Sequence, residues 1–221
     1  MNTSTHPVSS PQPAQALKLY RFAPSGHCHR VELFLSLLGL PVELIEVDLR
    51  AGAHKTPAFL QMNAFGQVPV LQDGDVTLAD ANAILVYLVS RYAPDASAWL
   101  PRDPVHAAAV QRWLSVAAGP LAFGPAAARA TVLFRQTTPP DEVVQRATQL
   151  FTVMEATLQA SAFLTGPAPT LADIANYSYT ARAPEGGVSL APYPHLRRWL
   201  ERIEALPGFV PMVKTPVGLV A

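Results

Sequence analysis

Between Leu17 and Leu49 the chain reads as a strand, a helix and a second strand within about thirty residues. Such spacing makes a βαβ unit, so the two strands should run parallel in one sheet. Leu17 and Leu19 alternate with Lys18 and Tyr20 along Leu17–Phe22, the period of a half-buried strand. Ala23-Pro24-Ser25-Gly26 breaks that strand, and a helix runs from about His27 to Leu38 with Val31, Phe34, Leu35 and Leu38 on one face. Gly39 and Pro41 stop it, and Val42–Leu49 is the second strand.

A loop with a short helix follows, from Ala51 to about Met62. Val68–Leu71 and Val76–Leu78 then flank Asp73-Gly74, a strong hairpin signal for two antiparallel strands. A helix from Asp80 to Tyr92, with Ile84, Tyr87 and Leu88 on one face, closes the unit. The order is β-α-β-α-β-β-α, a thioredoxin-like arrangement over residues 17–93. Residues 94–103 read as a linker, and Ala93–Pro104 holds three prolines. Beyond it no strand pattern of any length appears. Helical stretches at about 104–118, 120–135, 140–160, 170–182 and 194–206 fill an all-helical domain of residues 104–221. The fold class is therefore α/β followed by all-α, in two domains.

Residues 1–16 carry Ser, Thr and Pro with no apolar core of a secretory signal, and read as a disordered leader. No uninterrupted apolar run reaches the roughly 18 residues of a membrane span. Sixteen basic residues balance sixteen acidic ones, so the charge footprint of a nucleic-acid binder is missing. Cys28 is the one cysteine, which rules out an intrachain disulfide and fits a reducing compartment. No His, Cys and Asp grouping has metal-ligand spacing, and no glycine-rich phosphate loop is present.

Four features bear on chemistry. Val68-Pro69 stands at the mouth of a strand, where proline cannot donate to the ladder. It is either an ordinary trans proline or a cis proline that turns the Val68 main chain outward to pair with an extended peptide. Ser25-Gly26-His27-Cys28 opens the first helix, where negative charge is favoured. Ser25 is either a plain cap or a hydroxyl that donates to a thiolate on a ligand. Lowering a free thiol's pKa by about two units needs roughly 2.7 kcal/mol. One charged hydrogen bond supplies about 1.5–3 kcal/mol and a helix end adds about 0.3–1. Cys28 reads as a small buried residue on the first turn. Asp80 is a helix cap or a partner for a ligand ammonium. His54, beside Lys55, is an idle loop histidine or a carboxylate binder.

Taken together, Asn63-Ala64-Phe65-Gly66-Gln67-Val68-Pro69-Val70-Leu71, Asp73-Gly74 and Leu78 through Leu88 resemble the signature of the glutathione transferase superfamily. Pro169-Thr170-Leu171-Ala172-Asp173-Ile174-Ala175 is similar to that family's helix-capping motif. The resemblance covers residues 17 to 212 and is to the bacterial-type, theta- and zeta-like serine classes. It implies a cytoplasmic, homodimeric detoxification enzyme that uses glutathione as co-substrate and has no metal, nucleic-acid or membrane partner. Ser25 then aligns with the catalytic serine. His54 and Gln67 lie toward the glycine carboxylate, and Val68 and Pro69 against the cysteinyl backbone. Asp80 and its neighbour hold the γ-glutamyl group. Two departures stand out. Ala81 replaces the usual serine, which removes a hydroxyl worth about 1.5–3 kcal/mol, or about ten- to a hundredfold in affinity. Asn82 is a candidate to compensate. Ala64 replaces a usual proline. The acceptor site is expected between the domains, with Trp113, Val116, Ala117, Phe123, Tyr177 and Arg182 as candidate walls and Pro184–Pro194 as an irregular rim.

The leading expectation is a transferase that activates the glutathione thiolate at Ser25 for attack on a small apolar electrophile. Alternatives are a glutathione-dependent reductase or isomerase, which Cys28 would join only if exposed, and a non-catalytic binding or regulatory protein favoured by Ala81.

Overall fold

The computed structural model describes residues 11–216. A four-stranded sheet has the order β2-β1-β3-β4, built from β1 (Leu17–Arg21), β2 (Val42–Glu46), β3 (Val70–Asp73) and β4 (Val76–Ala79). β1 pairs β2 in parallel, with Leu19 opposite Leu44. β1 pairs β3 and β3 pairs β4 in antiparallel fashion, with Leu71 opposite Leu19 on one side and Leu78 on the other. The thioredoxin-like arrangement expected from the strand and helix order is present. Most of the expected leader, residues 1–10, lies outside the described residues, and residues 11–16 form neither helix nor strand.

Helix α1 (Gly26–Leu37) joins β1 to β2, α2 (Pro57–Met62) precedes β3, and α3 (Ala81–Tyr92) follows β4. The short α4 (Ala96–Trp99) occupies what the sequence reads as linker. Its Trp99 sets its ring edge-on against Phe34 of α1, with centroids 5.0 Å apart. This segment is thus packed structure and not a free tether.

The helical half consists of α5 (Pro104–Ala118), α6 (Ala127–Arg135), α7 (Asp141–Ala160), α8 (Leu171–Ala181) and α9 (Pro194–Glu204). A π-helical turn, Ala122–Ala126, joins α5 to α6 and contains Pro125. Proline cannot supply the intrahelical N–H, so the ladder widens there. At Gly124 a Cβ would lie 2.9 Å from the Ala147 nitrogen, so only glycine lets α7 approach this closely. The stretch Pro104–Arg135 is apolar and long enough to cross a membrane by length and composition, although no uninterrupted apolar run is. Half of its most apolar window is buried within the fold, as in the core helix of a globular protein.

Helix α8 starts with the expected capping box. The Thr170 hydroxyl accepts from Ala172 N–H, and the Asp173 carboxylate accepts from Thr170 N–H at 2.8 Å. Asp173 also accepts from Leu164 N–H at 2.9 Å and from the Trp199 indole at 2.8 Å. It therefore pins α9 and the preceding loop to the helix start. One continuous apolar core runs through both halves, from Leu17, Leu19 and Phe34 to Trp113, Phe151 and Trp199. α1 packs against α3 on one side and α8 on the other. That position explains why α1 buries His29 and Arg30 as well as its apolar residues.

Candidate active site

The first turn of α1 is the pivot of the site. Ser25 is its N-cap, extended at φ −83° and ψ 120°, and its hydroxyl oxygen accepts from Cys28 N–H at 3.4 Å. Because that bond uses a lone pair, the hydroxyl proton remains available as a donor. The Tyr179 phenol of α8 lies against the same hydroxyl. Burial raises the tyrosine's pKa, and the bond to Ser25 opposes the rise. A Cβ on Gly26 would come within 2.8 Å of the Tyr179 ring, so residue 26 must be glycine for this helix contact.

Beside this turn lies a cleft of about 860 Å³. Its walls come from Leu49, the 54–55 turn, the end of α2 with the loop before β3, the end of β4, the start of α3 and one residue of α1. Val68-Pro69 is cis. Residue 68 precedes β3, and among the described residues its main chain has no hydrogen-bond partner in the sheet or loops. The Asn63 side chain donates to Gln67 O at 2.8 Å, and Lys55 donates to Phe65 O at 3.3 Å and to Gly66 O at 3.2 Å. These bonds hold the 63–67 turn against the 53–55 turn. Gly66 is at φ +58°, and a Cβ there would lie 2.8 Å from His54 O.

His54, Gln67, Val68, Pro69, Asp80 and Ala81 all line this one cleft. The His54 Nδ1 atom is buried without a partner, a polar group left for a ligand. Asp80 takes the positive φ of 73°, and one carboxylate oxygen accepts from Ala83 N–H at 2.9 Å. A non-glycine residue held in that region costs of order 1–3 kcal/mol and is typical of ligand clamps. Asn82 does not compensate for the missing hydroxyl at Ala81. Its oxygen accepts from Arg30 at 2.6 Å and its amide donates to Leu114 O at 2.9 Å, so the whole side chain is engaged between α1 and α5.

Ser25 itself is not among the cleft's lining residues; of the α1 residues described, His27 is. Burial first, then the Arg30 charge, pushes the His27 imidazole down to about 3, so it is neutral. Arg30 is buried, donates to Asn82, and has no partner for Nε or Nη2. Burial lowers it to about 10, while Tyr179 and Asp80 oppose the shift. Cys28 is buried and its thiol is pushed up to about 11, chiefly by burial. It is therefore an inert packing residue.

The six expected acceptor-site residues do not converge on this cleft. Trp113, Val116 and Phe123 line a separate apolar cavity of about 550 Å³ against α7, with Arg112 and Arg146 at its edge. Ala117 is fully buried in the core. Tyr177 is turned into the core, where its hydroxyl donates to Glu204 at 2.9 Å and its ring meets Phe209 edge-on. Arg182 donates to Met212 O and holds the C-terminal segment. The reason is helical geometry. Residues two apart on α8 project about 200° apart, so Tyr179 meets the first turn of α1 at His27, while Tyr177 lies against His29 and the core. The Pro184–Pro194 stretch is also more ordered than an irregular rim. It begins in the 3-10 turn Ala183–Gly186, whose Glu185 is buried against Arg129.

His27 stood within the Ser25-Gly26-His27-Cys28 tetrad, and its place in the first helical turn was the signal for it. Nothing local marked Tyr179, Arg30 or Arg129, which reach the site through helix packing.

Comparison with known proteins identifies the family of both halves of the fold. The family model for the glutathione S-transferase N-terminal domain matches residues 15–90, and that for the C-terminal domain matches residues 116–207. Glutathione S-transferase 3 of Zea mays is 37% identical over 212 residues, covering 87% of this chain and 91% of that protein. Glutathione S-transferase theta-1 of Homo sapiens is 32% identical over 203 residues, covering 87% and 84%. Among solved structures, a glutathione S-transferase from Pseudomonas fluorescens superimposes with TM-score 0.83 at 35% identity, covering 90% of this chain and 100% of that chain. A glutathione transferase homologue from Drosophila mojavensis, with bound glutathione, gives 0.79 at 30% identity, covering 87% and 89%.

Proposed function

The chain belongs to the glutathione S-transferase family and is an enzyme of that family, and from this we propose that it binds glutathione along the Val68 main chain. The sulfur then lies toward the N-terminus of α1, next to Ser25. The observation that carries this reading is the unpaired Val68 main chain beside the cis Pro69, in a cleft that Gln67, His54 and Asp80 also line. An extended tripeptide can pair with that main chain as one more strand would. The His54 nitrogen and the Asp80 carboxylate suit the carboxylate and ammonium ends of glutathione.

In this mechanism the thiol S–H bond breaks and its proton passes to water. The electron pair stays on sulfur, where the Ser25 hydroxyl and the helix N-terminus stabilise it. The thiolate forms a C–S bond to the electrophilic carbon of a small apolar substrate held nearby, and the displaced electron pair departs with a leaving group or, in an addition, takes a proton from water. The buried Cys28, with its raised pKa, supplies no second thiol for a reductase cycle. A single buried cysteine suits a reducing cytoplasm. We further propose that the enzyme is a homodimer. Phe65, 81% exposed, and the cavity rimmed by Phe123 and Val153 are apolar surfaces that a second copy would cover.

The test is the ultraviolet absorbance of bound glutathione thiolate as a function of pH, in native protein and Ser25→Ala. Loss of the low-pH thiolate in the variant supports the assignment. An unchanged thiol pKa would remove Ser25 from the mechanism.

A further inference from the structure

We propose that His27 is a second hydrogen-bond donor to the glutathione sulfur, acting from the α1 turn beside Ser25. The assignment rests on the glutathione reading of the cleft. It comes from four observations. His27 is the α1 side chain, among the described residues, that lines the cleft with Val68, Asp80 and Ala81. It occupies the second position of a twelve-residue helix, so it projects from the end where negative charge is favoured. Its ring is held in place, edge-on to Tyr179 with centroids 5.0 Å apart at 75°. Tyr179 is in turn seated on Gly26, where no side chain would fit. Lastly, among the described residues no hydrogen bond acts on the His27 ring, only burial and the Arg30 charge. Its polar edge is therefore open to a ligand.

The chemistry follows from the ring's neutrality. A neutral imidazole carries one N–H and one lone pair. Because protonation is so disfavoured, His27 does not take the thiol proton as a base. It donates its N–H to the thiolate after that proton has gone to water. A donor that stays uncharged stabilises the anion without itself titrating across the working pH range. Arg30, one turn further along α1 and lacking partners for Nε and Nη2, keeps the imidazole in that form while adding positive potential behind it.

The experiment is a thiolate titration of glutathione bound to native protein, His27→Leu and His27→Asn, with glutathione affinity measured calorimetrically on the same samples. Leucine fills the space without a donor, and asparagine restores an N–H. His27→Leu should raise the bound thiol pKa by about one unit, a tenfold loss of thiolate below that pKa. Its affinity for glutathione should stay within about twofold well below the bound thiol pKa, where the thiol form binds, and fall about tenfold above it, and His27→Asn should recover most of both changes. If the leucine variant melts early, His27→Met serves as a second donor-free variant. An unchanged thiol pKa in the donor-free variants overturns the assignment, as does a loss of affinity with no pKa change, which would make His27 only a wall. Failure of native protein to bind glutathione in the calorimeter would instead remove the reading beneath it, and the assignment with it.

Discussion

The Arg129 guanidinium donates a 2.6 Å hydrogen bond to the main-chain carbonyl of Pro24, the residue before Ser25. Its Nε donates to Glu185 at 2.6 Å, both groups being buried. Glu185 also accepts from the Thr215 hydroxyl at 2.5 Å and its main-chain N–H at 3.3 Å. The turn that carries Ser25 is thus braced from the helical half, and the brace reaches the C-terminal segment. Removing one member of a buried ion pair costs about 3–5 kcal/mol where the other is left uncompensated, but Glu185 keeps Arg182 at 3.6 Å, so the lower end, about 3 kcal/mol, applies here. Arg129→Met should lower the unfolding free energy by that amount in urea denaturation. Where enough protein remains folded, the turn should loosen and the bound thiol pKa should rise. A variant as stable as native protein would show the pair to be dispensable.

Ala81 begins α3 with its methyl group on the cleft, and Asn82 is committed to Arg30 and Leu114. The hydroxyl missing at position 81 is therefore not replaced by its neighbour. Ala81→Ser should tighten glutathione about tenfold or more, since a hydrogen bond to a charged group contributes roughly 1.5–3 kcal/mol. Isothermal titration calorimetry on the two proteins decides it, and equal dissociation constants would show that the carboxylate is held elsewhere.

Asp80 sits at φ 73° and also caps α3. Glycine adopts positive φ without the strain, and exchanging an N-cap carboxylate for glycine costs only a few tenths of a kcal/mol. Asp80→Gly should therefore leave the protein as stable or more stable by about 1 kcal/mol. It should also bind glutathione about tenfold or more weakly, because the ammonium loses its partner. Opposite signs for stability and affinity are the signature to look for. A drop in stability with affinity unchanged would mean that Asp80 is held for folding alone.

The N-terminal half was legible because its constraints are local. A cis proline at a strand mouth, a glycine at φ +58° in the 63–67 turn and a carboxylate at a helix start each leave a mark within a few residues. The cleft formed by His54, Gln67, Val68, Pro69, Asp80 and Ala81 could be assembled from such marks. The helical half carries its information in which face of a helix meets which neighbour. Tyr177 and Tyr179 are equivalent on composition, yet one packs on Phe209 and the other on His27. Arg129 and Glu185 are 56 residues apart, and no periodicity pairs them. Trp113 and Val116 read as apolar wall residues, and they are, but of a different cavity.

His29 gives a prediction about acid. Its Nε2 lies 2.9 Å from Val210 O, which can only accept, so Nε2 carries the proton. Nδ1 then accepts from the Ser178 hydroxyl at 2.8 Å. Protonation would force the Ser178 hydroxyl to turn and accept from Nδ1–H, and would bury a charge. Burial, with Arg182 and Arg21 nearby, pushes the imidazole down to about 4 against the opposing effect of the Val210 carbonyl. The unfolded chain has an ordinary histidine near 6.5. Above that value neither state is protonated and stability does not depend on this group. Between about 6.5 and 4 the unfolded state binds the proton and the native state does not, so stability falls as pH falls. Below about 4 the loss is complete, at about 3 kcal/mol. His29→Gln can donate to Val210 O and accept from Ser178 without titrating. Urea unfolding at pH 7 and pH 4 should therefore show native protein losing about 3 kcal/mol more than the variant. Equal losses in the two proteins would mean that other groups, such as the carboxylates, carry the acid sensitivity.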